Sequence, residues 1–296
     1  MQLTPQLKVA LTGANGQLGY QLAKKLADKV TLLALDRAAL DIANNAQVEQ
    51  TLLAFAPDVI INAAAYTAVD KAEQEQELAK AINETGPQNL AKVTAKLDAV
   101  LIHVSTDYVF DGRSDKPYIE TDATNPQSIY GQTKLNGEQA VVKYCAKHLI
   151  LRTSWVFAEH GNNFVKTMLR LAQSRPELGV VTDQIGGPTY AGDIAEAIIS
   201  IVSQLSAENE RRYGVYHYSG AHYVSWHQFA CSIFKQALQQ QLIVQAPKVN
   251  AITTSQYPTP AKRPAFSMLD CSKIQQVFAV SPSNWQAALN NLIFYK

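Results

Sequence analysis

The chain has 296 residues, 47% hydrophobic and 17% charged, a composition typical of a globular protein with one large domain and room for a smaller one. Its 26 basic and 25 acidic residues leave a net charge of +1, which argues against nucleic acid or an anionic membrane as a partner. Three widely spaced cysteines (Cys145, Cys231 and Cys271) form no metal-ligand cluster, and no apolar stretch is long enough for a membrane span, so we expect a reduced, cytoplasmic protein.

A strand, a glycine-rich turn and a helix open the chain, which is the arrangement that binds a dinucleotide phosphate. The apolar run 7–12 predicts a strand, and residues 20–27 show helical periodicity. Between them, glycines at a spacing of three allow a tight turn and the close approach of a pyrophosphate to backbone N–H groups. We predict that this turn, Asn15 included, is a cofactor site; its glycines are Gly13, Gly16 and Gly19.

The second predicted strand, residues 30–35, ends beside two residues that can select the cofactor. Asp36 can accept hydrogen bonds from ribose hydroxyls, which favours NADH, whereas Arg37 can pair with the 2′-phosphate of NADPH. These signals conflict, so we expect the protein to use either cofactor. Asp41 and Ile42 follow where a loop can flank the adenine, although a helix-capping Asp and a core Ile explain them equally well.

Two further apolar runs, residues 59–62 and 100–104, predict strands that alternate with helices. Small residues after the first strand allow a flat cofactor to lie on the backbone. The residues that we predict to line this part of the cofactor site are Ala65, Tyr66 and Thr67. A helix is predicted over residues 68–96, interrupted at Gly86-Pro87. The repeated β-α-β units predict an α/β fold with a Rossmann-type, doubly wound parallel sheet and ligands at the carboxyl ends of its strands.

Tyr130 and Lys134 lie four residues apart on a predicted helix over residues 130–148, so their side chains share one face. A nearby lysine cation favours the phenolate, so we expect a lowered pKa for Tyr130 and proton transfer near neutral pH. Such a pair alone is commonly a half-buried tyrosine beside a solvated lysine. Thr106, which ends a strand and can donate a hydrogen bond to a substrate oxygen, favours the catalytic interpretation.

Seven phrases of the sequence carry a family resemblance. They are NAAAYTAVDKAE (62–73), STDYVFDG (105–112), YGQTKLNGE (130–138), LRTSWVF (151–157), GNNFVKTMLRLA (161–172), DQIGGPT (183–189) and YPTPAKRP (257–264). With the glycine turn, they resemble the extended short-chain dehydrogenase/reductase family, most closely its branch that reduces the C4 ketone of dTDP-4-dehydro-β-L-rhamnose. The resemblance runs from about residue 7 to the last helix, and it implies NADPH or NADH as cofactor and a dTDP-sugar as substrate.

The resemblance also implies roles for individual residues. The cofactor contacts that it implies are Gly16, Gln17, Leu18, Asp36, Asp41, Ile42, Ala65, Tyr66 and Thr67. It makes Tyr130 and Lys134 the catalytic pair, Thr106 and Asp107 a substrate-binding pair, and Trp155 a substrate contact. Tyr66 stands where many relatives have histidine, which alters the wall of the pocket.

Residues 1–158 are expected to form mainly the NAD(P)-binding domain and residues 159–296 mainly a smaller α/β domain for the sugar nucleotide, with interleaved segments. A polar stretch at 206–212 is a predicted connector. Trp155 offers a flat wall for a sugar ring, and Arg263, in a stiff Pro-rich segment, can bind a diphosphate. A core tryptophan and a surface arginine would fit these two positions equally well.

The sequence also bears on metal binding and on alternative functions. Some relatives dimerise through a magnesium ion held by glutamates, but Gln21 lies on the first helix, the tail 284–296 has no carboxylate, and the histidines lack ligand spacing. We therefore expect no metal and a monomer or homodimer. A sugar-nucleotide epimerase and a non-catalytic subunit resembling methionine adenosyltransferase β remain alternatives. Dehydratases typically carry Asp-Glu after the threonine, where this chain has Asp107-Tyr108.

Overall fold

The computed structural model describes residues 3–205 and 212–295. The strands of this part of the chain are β1 (Lys8–Thr12), β2 (Thr31–Leu35), β3 (Val59–Asn62), β4 (Val100–Thr106), β5 (His148–Thr153), β6 (Val156–Phe157), β7 (Glu177–Val181), β8 (Ile185–Gly186), β9 (Thr189–Tyr190), β10 (Gly214–His217), β11 (Val224–Ser225), β12 (Lys248–Ile252) and β13 (Phe266–Ser267).

The helices of the described residues are α1 (Gln17–Leu26), α2 (Asn45–Phe55), α3 (Val69–Ala72), α4 (Gln76–Lys80), α5 (Gly86–Lys96), α6 (Ile129–Tyr144), α7 (Phe164–Ala172), α8 (Ala191–Gln204), α9 (Trp226–Gln239), α10 (Ser272–Phe278) and α11 (Trp285–Ala288). A π-helical turn, Ala81–Thr85, joins α4 to α5, and a 3₁₀ helix, Leu289–Phe294, follows α11. None of the described helices has both the length and the apolar character that a membrane crossing would need.

A parallel sheet with strand order β10-β5-β4-β3-β1-β2 is the centre of the fold. β2 and β3 both follow β1 in the chain, yet they lie on opposite sides of it. Such a reversal leaves a crevice outside the carboxyl ends of the strands, where ligands bind in open α/β sheets. The doubly wound Rossmann-type sheet predicted from the sequence is thus confirmed.

Helices cover both faces of this sheet, which explains why its central strands are mostly apolar on both faces. Val9 and Leu11 of β1 pack with α1 and α8 on one face, whereas Ala10 packs with α2, α5 and α6 on the other. Every residue of β3 and of β5 is buried. The strand ends that carry the site are therefore fixed by two cores at once.

A second core is built mainly from the later part of the chain and lies around Phe229 and Trp285. Its small sheets pair β7 with β12, β8 with β11 and β13, and β6 with β9. β10, however, returns to the edge of the main sheet, so the two parts are interleaved along the chain. The division near residue 158 stays a prediction, and residues 206–211 of the predicted connector lie outside the described residues.

The predicted interruption at Gly86-Pro87 is wrong. α5 begins at Gly86, whose N–H donates to Ala81 O across the π-helical turn, and Pro87 occupies the first turn. Pro87 has no N–H to donate, and it lies directly after the π-helical turn, where the helix continues without a break from Gln76 to Lys96. The helical pattern instead breaks at residues 73–75, between α3 and α4.

Two other boundaries also differ from the sequence predictions. The helix predicted over residues 130–148 ends at Tyr144, because Cys145 is extended and His148 already begins β5. Over residues 180–188, where the sequence predicts a strand and a Gly-Gly turn, the structure has the end of β7 and all of β8, which lie in different sheets.

Candidate active site

The glycine turn between β1 and α1 can only be built with glycines at two positions. Gly13 has φ of +74°, and a Cβ there would lie 2.5 Å from Ala64 N. A Cβ on Gly19 would collide with the Gly13 carbonyl, so α1 could not approach the turn so closely. Both contacts place the start of α1 directly over the end of β1.

The start of α1 offers backbone donors to an anion. The N–H groups of Gln17, Leu18 and Gly19 lie in its first turn and have no acceptor within the helix. The side chains of the first two are engaged elsewhere: Leu18 is buried in the core, and Gln17 Oε1 accepts from Asn163 Nδ2 at 3.0 Å. These residues can therefore serve a phosphate through the main chain, as a pyrophosphate turn requires.

A cleft of about 350 Å³ opens over the crevice between β1 and β3. It brings together most of the predicted cofactor residues from three separate segments. Those that line it are Gly13, Asn15, Gly16, Asp36, Arg37, Asp41, Ile42, Ala65, Tyr66 and Thr67. Ile82, from the π-helical turn, also lines the cleft, and no sequence signal marked it. The cleft and the free N–H groups beside it fit a dinucleotide.

Asp36 and Arg37 lie side by side at the rim of this cleft. Asp36 accepts from Asn15 Nδ2 at 2.7 Å and from Ala39 N at 2.9 Å, one bond to each carboxylate oxygen. Each oxygen can accept a second hydrogen bond, such as one from a ribose hydroxyl. Arg37 is exposed and forms no ion pair with the described residues, so its guanidinium is available to a phosphate.

Two side chains fix the start of α6 and so position Tyr130. Ser128 caps the helix by accepting from Gly131 N at 3.2 Å, and Glu73 accepts from Ile129 N at 2.9 Å. A Cβ on Gly131 would collide with the Tyr108 carbonyl, so glycine allows α6 to lie against the segment that follows β4. α6 is thus held at its first turn and along its packing surface.

Tyr130, Lys134 and Thr106 come together at the carboxyl end of β4, as predicted. All three are buried, and the Thr106 hydroxyl lies within hydrogen-bonding reach of the Tyr130 phenol. Lys134 Nζ donates to Val104 O at 2.6 Å, which holds the ammonium against β4. The Tyr130 phenol and the Thr106 hydroxyl therefore lie side by side, so that both can reach one oxygen atom of a ligand.

The expectation of a lowered Tyr130 pKa is wrong for the protein alone. Burial raises the pKa of Tyr130 above its usual value, and the Thr106 hydrogen bond opposes this only in part. Burial also lowers the pKa of Lys134 to about 8, against the attraction of Glu138. Loss of hydration on burial is the largest cause of both shifts, and the nearby Asp107 adds to the rise of the Tyr130 pKa. At neutral pH the phenol is therefore protonated, which is the form that donates a proton.

Asp107 adds a buried carboxyl group beside Thr106. Its Oδ1 accepts from the Thr106 hydroxyl at 2.9 Å, and its Oδ2 has no partner among the described residues. Burial raises the pKa of Asp107 to about 6, although hydrogen bonds from Thr106 and Ser267 oppose the rise. A buried oxygen without a partner is costly, and a ligand hydroxyl would satisfy it.

A second cleft of about 420 Å³ lies between α7, β7 and the Pro-rich segment. Phe164, Trp226 and Arg263 are among its lining residues. Trp226 stacks on Trp155 with ring centroids 3.5 Å apart and an interplanar angle of 7°. Sequence reasoning missed Trp226; its only signal was an aromatic residue directly after the helix cap Ser225.

Trp155 has a strained backbone, with φ of +47°. This conformation is rare for a bulky side chain and persists only where the surroundings fix it. Here Thr189 N donates to Trp155 O at 3.2 Å, and the indole is held against Trp226. Trp155 does not itself line the second cleft and reaches it through Trp226.

Arg263 lies at the second cleft, but its guanidinium already has partners. Nη2 donates to Asp70 Oδ2 at 2.7 Å, and Nη1 contacts the Tyr108 hydroxyl at 3.4 Å. The Tyr108 ring in turn packs edge-on against the Tyr130 ring, with centroids 5.4 Å apart. A chain of contacts therefore joins Arg263, the predicted diphosphate residue, to Tyr130, the predicted catalytic residue.

No cluster of histidine, cysteine, aspartate and glutamate that could hold a metal ion occurs among residues 3–205 and 212–295. Gln21, which stands on α1, donates to Glu159 Oε2 at 2.7 Å. Tyr190 donates to the other oxygen of the same carboxylate. Glu159 is therefore engaged within the chain.

A doubly wound sheet with a glycine turn at its switch point and a Tyr-x-x-x-Lys pair beside a strand-end threonine defines an extended short-chain dehydrogenase/reductase. A family model described as the RmlD substrate binding domain matches residues 7–295. The dTDP-4-dehydrorhamnose reductase of Aggregatibacter actinomycetemcomitans is 51% identical over 290 residues, which cover 97% of this chain and 99% of that protein. The chain belongs to the dTDP-4-dehydrorhamnose reductase family.

Solved structures agree with this assignment. A dTDP-4-dehydrorhamnose reductase from Clostridium acetobutylicum has a TM-score of 0.89 and 40% identity, covering 97% of this chain and 98% of its own. The dTDP-4-dehydrorhamnose reductase of Bacillus anthracis, solved in complex with NADP, has a TM-score of 0.90 and 38% identity, covering 98% of this chain and 100% of its own. The likeness extends over both parts of the fold.

Proposed function

We propose that this enzyme reduces the C4 ketone of dTDP-4-dehydro-β-L-rhamnose to dTDP-L-rhamnose with NADPH or NADH, the last step of dTDP-rhamnose biosynthesis. The observation that carries the proposal is the buried, protonated Tyr130 phenol beside the Thr106 hydroxyl, at the carboxyl end of β4. The family membership and the relatives' activity point to the same substrate.

The chemistry needs a hydride and a proton at one carbon–oxygen pair. When bound, the nicotinamide cofactor supplies the hydride to C4 of the sugar. Tyr130 gives its phenolic proton to the C4 oxygen. The Thr106 hydroxyl turns from Asp107 Oδ1 and donates its one hydrogen bond to the same oxygen while charge develops on it. Lys134, charged at neutral pH, stabilises the phenolate that Tyr130 leaves and binds the nicotinamide ribose.

The first cleft holds the cofactor. The first-turn N–H groups of α1, from Gln17 to Gly19, bind the pyrophosphate, and Ala65–Thr67 forms the wall beneath the nicotinamide half. Asp41 and Ile42 flank the adenine. Because Asp36 can bind ribose hydroxyls and Arg37 a 2′-phosphate, NADH and NADPH are both accepted.

The second cleft holds the dTDP-sugar. The Trp155–Trp226 stack offers an aromatic wall, and Arg263 offers a guanidinium to the diphosphate. Asp107, whose Oδ2 lacks a partner among the described residues, accepts a hydrogen bond from a sugar hydroxyl next to the reacting ketone. Sugar and ketone are thereby fixed against Tyr130.

We also propose that the protein works in the cytoplasm. The described thiols Cys145, Cys231 and Cys271 are free, which suits the reducing cytoplasm where NADPH is available. We propose a monomer or homodimer that needs neither metal nor a partner protein.

The testing experiment supplies the purified protein with the enzymatically generated 4-keto sugar nucleotide and follows NAD(P)H by absorbance. We expect one equivalent of NAD(P)H to be consumed per sugar nucleotide, unaffected by chelator. Stoichiometric NAD⁺ in the purified protein together with redox-neutral isomerisation would instead indicate an epimerase. No turnover combined with tight binding to another enzyme would indicate a regulatory subunit.

A further inference from the structure

Arg263 and Asp70 join the cofactor cleft to the substrate cleft. Thr67 and Ala68 line the cofactor cleft, and Asp70 follows two residues later, in the first turn of α3. Arg263 lines the substrate cleft from the Pro-rich segment near the other end of the chain. The ion pair between them, at 2.7 Å, therefore spans the boundary between the two ligand sites.

Asp70 binds both the backbone and the side chain of the Pro-rich segment. Its Oδ1 accepts from Ala261 N at 3.3 Å, and its Oδ2 accepts from Arg263 Nη2 at 2.7 Å. Thr259 Oγ1 donates to Ala261 O at 2.9 Å within the same segment. A single carboxylate thus fixes the course of the segment and the direction of its arginine.

These contacts orient the guanidinium of Arg263 but leave some of its hydrogen-bond donors without a partner in the contacts described. It carries five N–H donors, of which one on Nη2 faces Asp70 and one on Nη1 faces the Tyr108 hydroxyl. Three donors, including that of Nε, remain for a ligand in the cleft. This number suits the oxygen-rich diphosphate of a sugar nucleotide, which an arginine can bind through two donors at once.

Holding the arginine in place before the ligand arrives favours binding. A free arginine side chain loses much rotamer freedom when it binds, and a side chain that is already fixed loses less. Asp70 and Arg263 are only partly exposed, with 38% and 29% of their side-chain surface accessible, so solvent screens the pair incompletely.

We propose that Asp70 is a positioning residue, which holds Arg263 ready for the diphosphate of the substrate. The segment that follows the cofactor cleft then also organises the substrate cleft. This inference rests on the proposed function, because it takes the diphosphate contact of Arg263 as given. Asp70 itself touches neither the sugar nucleotide nor the reacting atoms.

The test compares Asp70→Asn, Arg263→Met and the double variant by steady-state kinetics and by calorimetric titration of dTDP. Arg263→Met should raise KM for the sugar nucleotide and Kd for dTDP about tenfold or more, because it removes charge-assisted hydrogen bonds. Asp70→Asn should raise both about two- to fivefold, as expected for a partly exposed ion pair, and leave kcat and the KM for NADPH unchanged. In the Arg263→Met background, Asp70→Asn should have no further effect.

The matched control is Asp98→Asn, which removes the 2.7 Å ion pair with Lys147 and should leave every constant unchanged. If Arg263→Met raises Kd for dTDP while Asp70→Asn does not, the positioning role is wrong and the proposed function stands. An Asp70→Asn effect of the same size in both backgrounds, or a decrease in Kd, would also overturn the positioning role. If Arg263→Met leaves Kd for dTDP unchanged, the diphosphate role of Arg263 fails and this inference fails with it.

Discussion

Replacing Lys134 by methionine should stabilise the fold at pH 7 while it removes activity. In the folded protein Lys134 is buried and its pKa is about 8, compared with 10.5 for an ordinary lysine. Each pKa unit corresponds to about 1.4 kcal/mol, so keeping the ammonium charged inside the fold costs about 3 kcal/mol at pH 7. The charge is retained because the proposed reaction needs it beside Tyr130.

Methionine fills a similar volume without a charge, but it gives up the hydrogen bond from Lys134 Nζ to Val104 O. That loss costs about 1 kcal/mol. The net gain in the free energy of unfolding is therefore about 2 kcal/mol, which corresponds to a rise in Tm of roughly 4 °C for a chain of this size.

The pH dependence identifies the cause of this gain. The pKa of Lys134 is lower in the folded chain than in the unfolded chain, so the unfolded chain binds more protons between about pH 8 and pH 10.5. The cost in the natural protein is complete below pH 8 and disappears as the pH rises through this window. The advantage of Lys134→Met should therefore be largest at pH 7 and shrink towards pH 10.

Urea unfolding at pH 7 and at pH 9.5–10, roughly the end of this window, measures the effect. Lys143→Met, which removes an exposed lysine from the same helix, is the matched control and should show no such dependence. A Lys134→Met variant that is less stable than the natural protein by the same amount at both pH values would refute the reasoning.

Four further outcomes are expected. Tyr130→Phe should lower kcat by about 10²–10⁴-fold with NADPH affinity nearly intact in a fluorescence titration, and retention of more than about a tenth of kcat would exclude Tyr130 as the proton donor. Asp36→Ala should raise the KM for NADH more than the KM for NADPH, and Arg37→Ala should raise the KM for NADPH more. Equal effects on both cofactors would mean that neither residue contacts the 2′ position. Trp155→Ala should raise KM for the sugar nucleotide at constant NADPH affinity, whereas unfolding or an equal loss of cofactor would make it a core residue. Gly19→Ala should weaken the binding of both NADH and NADPH, because the added Cβ collides with the Gly13 carbonyl. Calorimetry should show an unchanged affinity for dTDP.

The cofactor side of the site could be predicted from the sequence because its signals are local. Glycine spacing, apolar runs and the residues at strand ends all lie within a few positions of one another. A parallel sheet then brings those strand ends to one edge. The cleft lined by Gly13, Asp36 and Ala65 is the direct result.

The substrate side could not be predicted in the same way, because its contacts join distant parts of the chain. Asp70 and Arg263 are 193 residues apart, and nothing near either residue in the sequence indicates the other. Trp155 meets Trp226 only after the second core has formed. The prediction of the Tyr130 pKa shift had the wrong direction for a related reason, because burial, which is the largest cause of the rise, is a property of the whole fold.

The most direct measurement of the central claim is the fate of a labelled hydride. The protein is given 4-keto sugar nucleotide and NADPH carrying deuterium in the transferred position at C4 of the nicotinamide, and the product is analysed by mass spectrometry and NMR. The account predicts one deuterium per sugar, located at C4 of dTDP-L-rhamnose, and a matching loss of label from the cofactor. Turnover that leaves the sugar unlabelled, or that places the deuterium on another carbon, would contradict it.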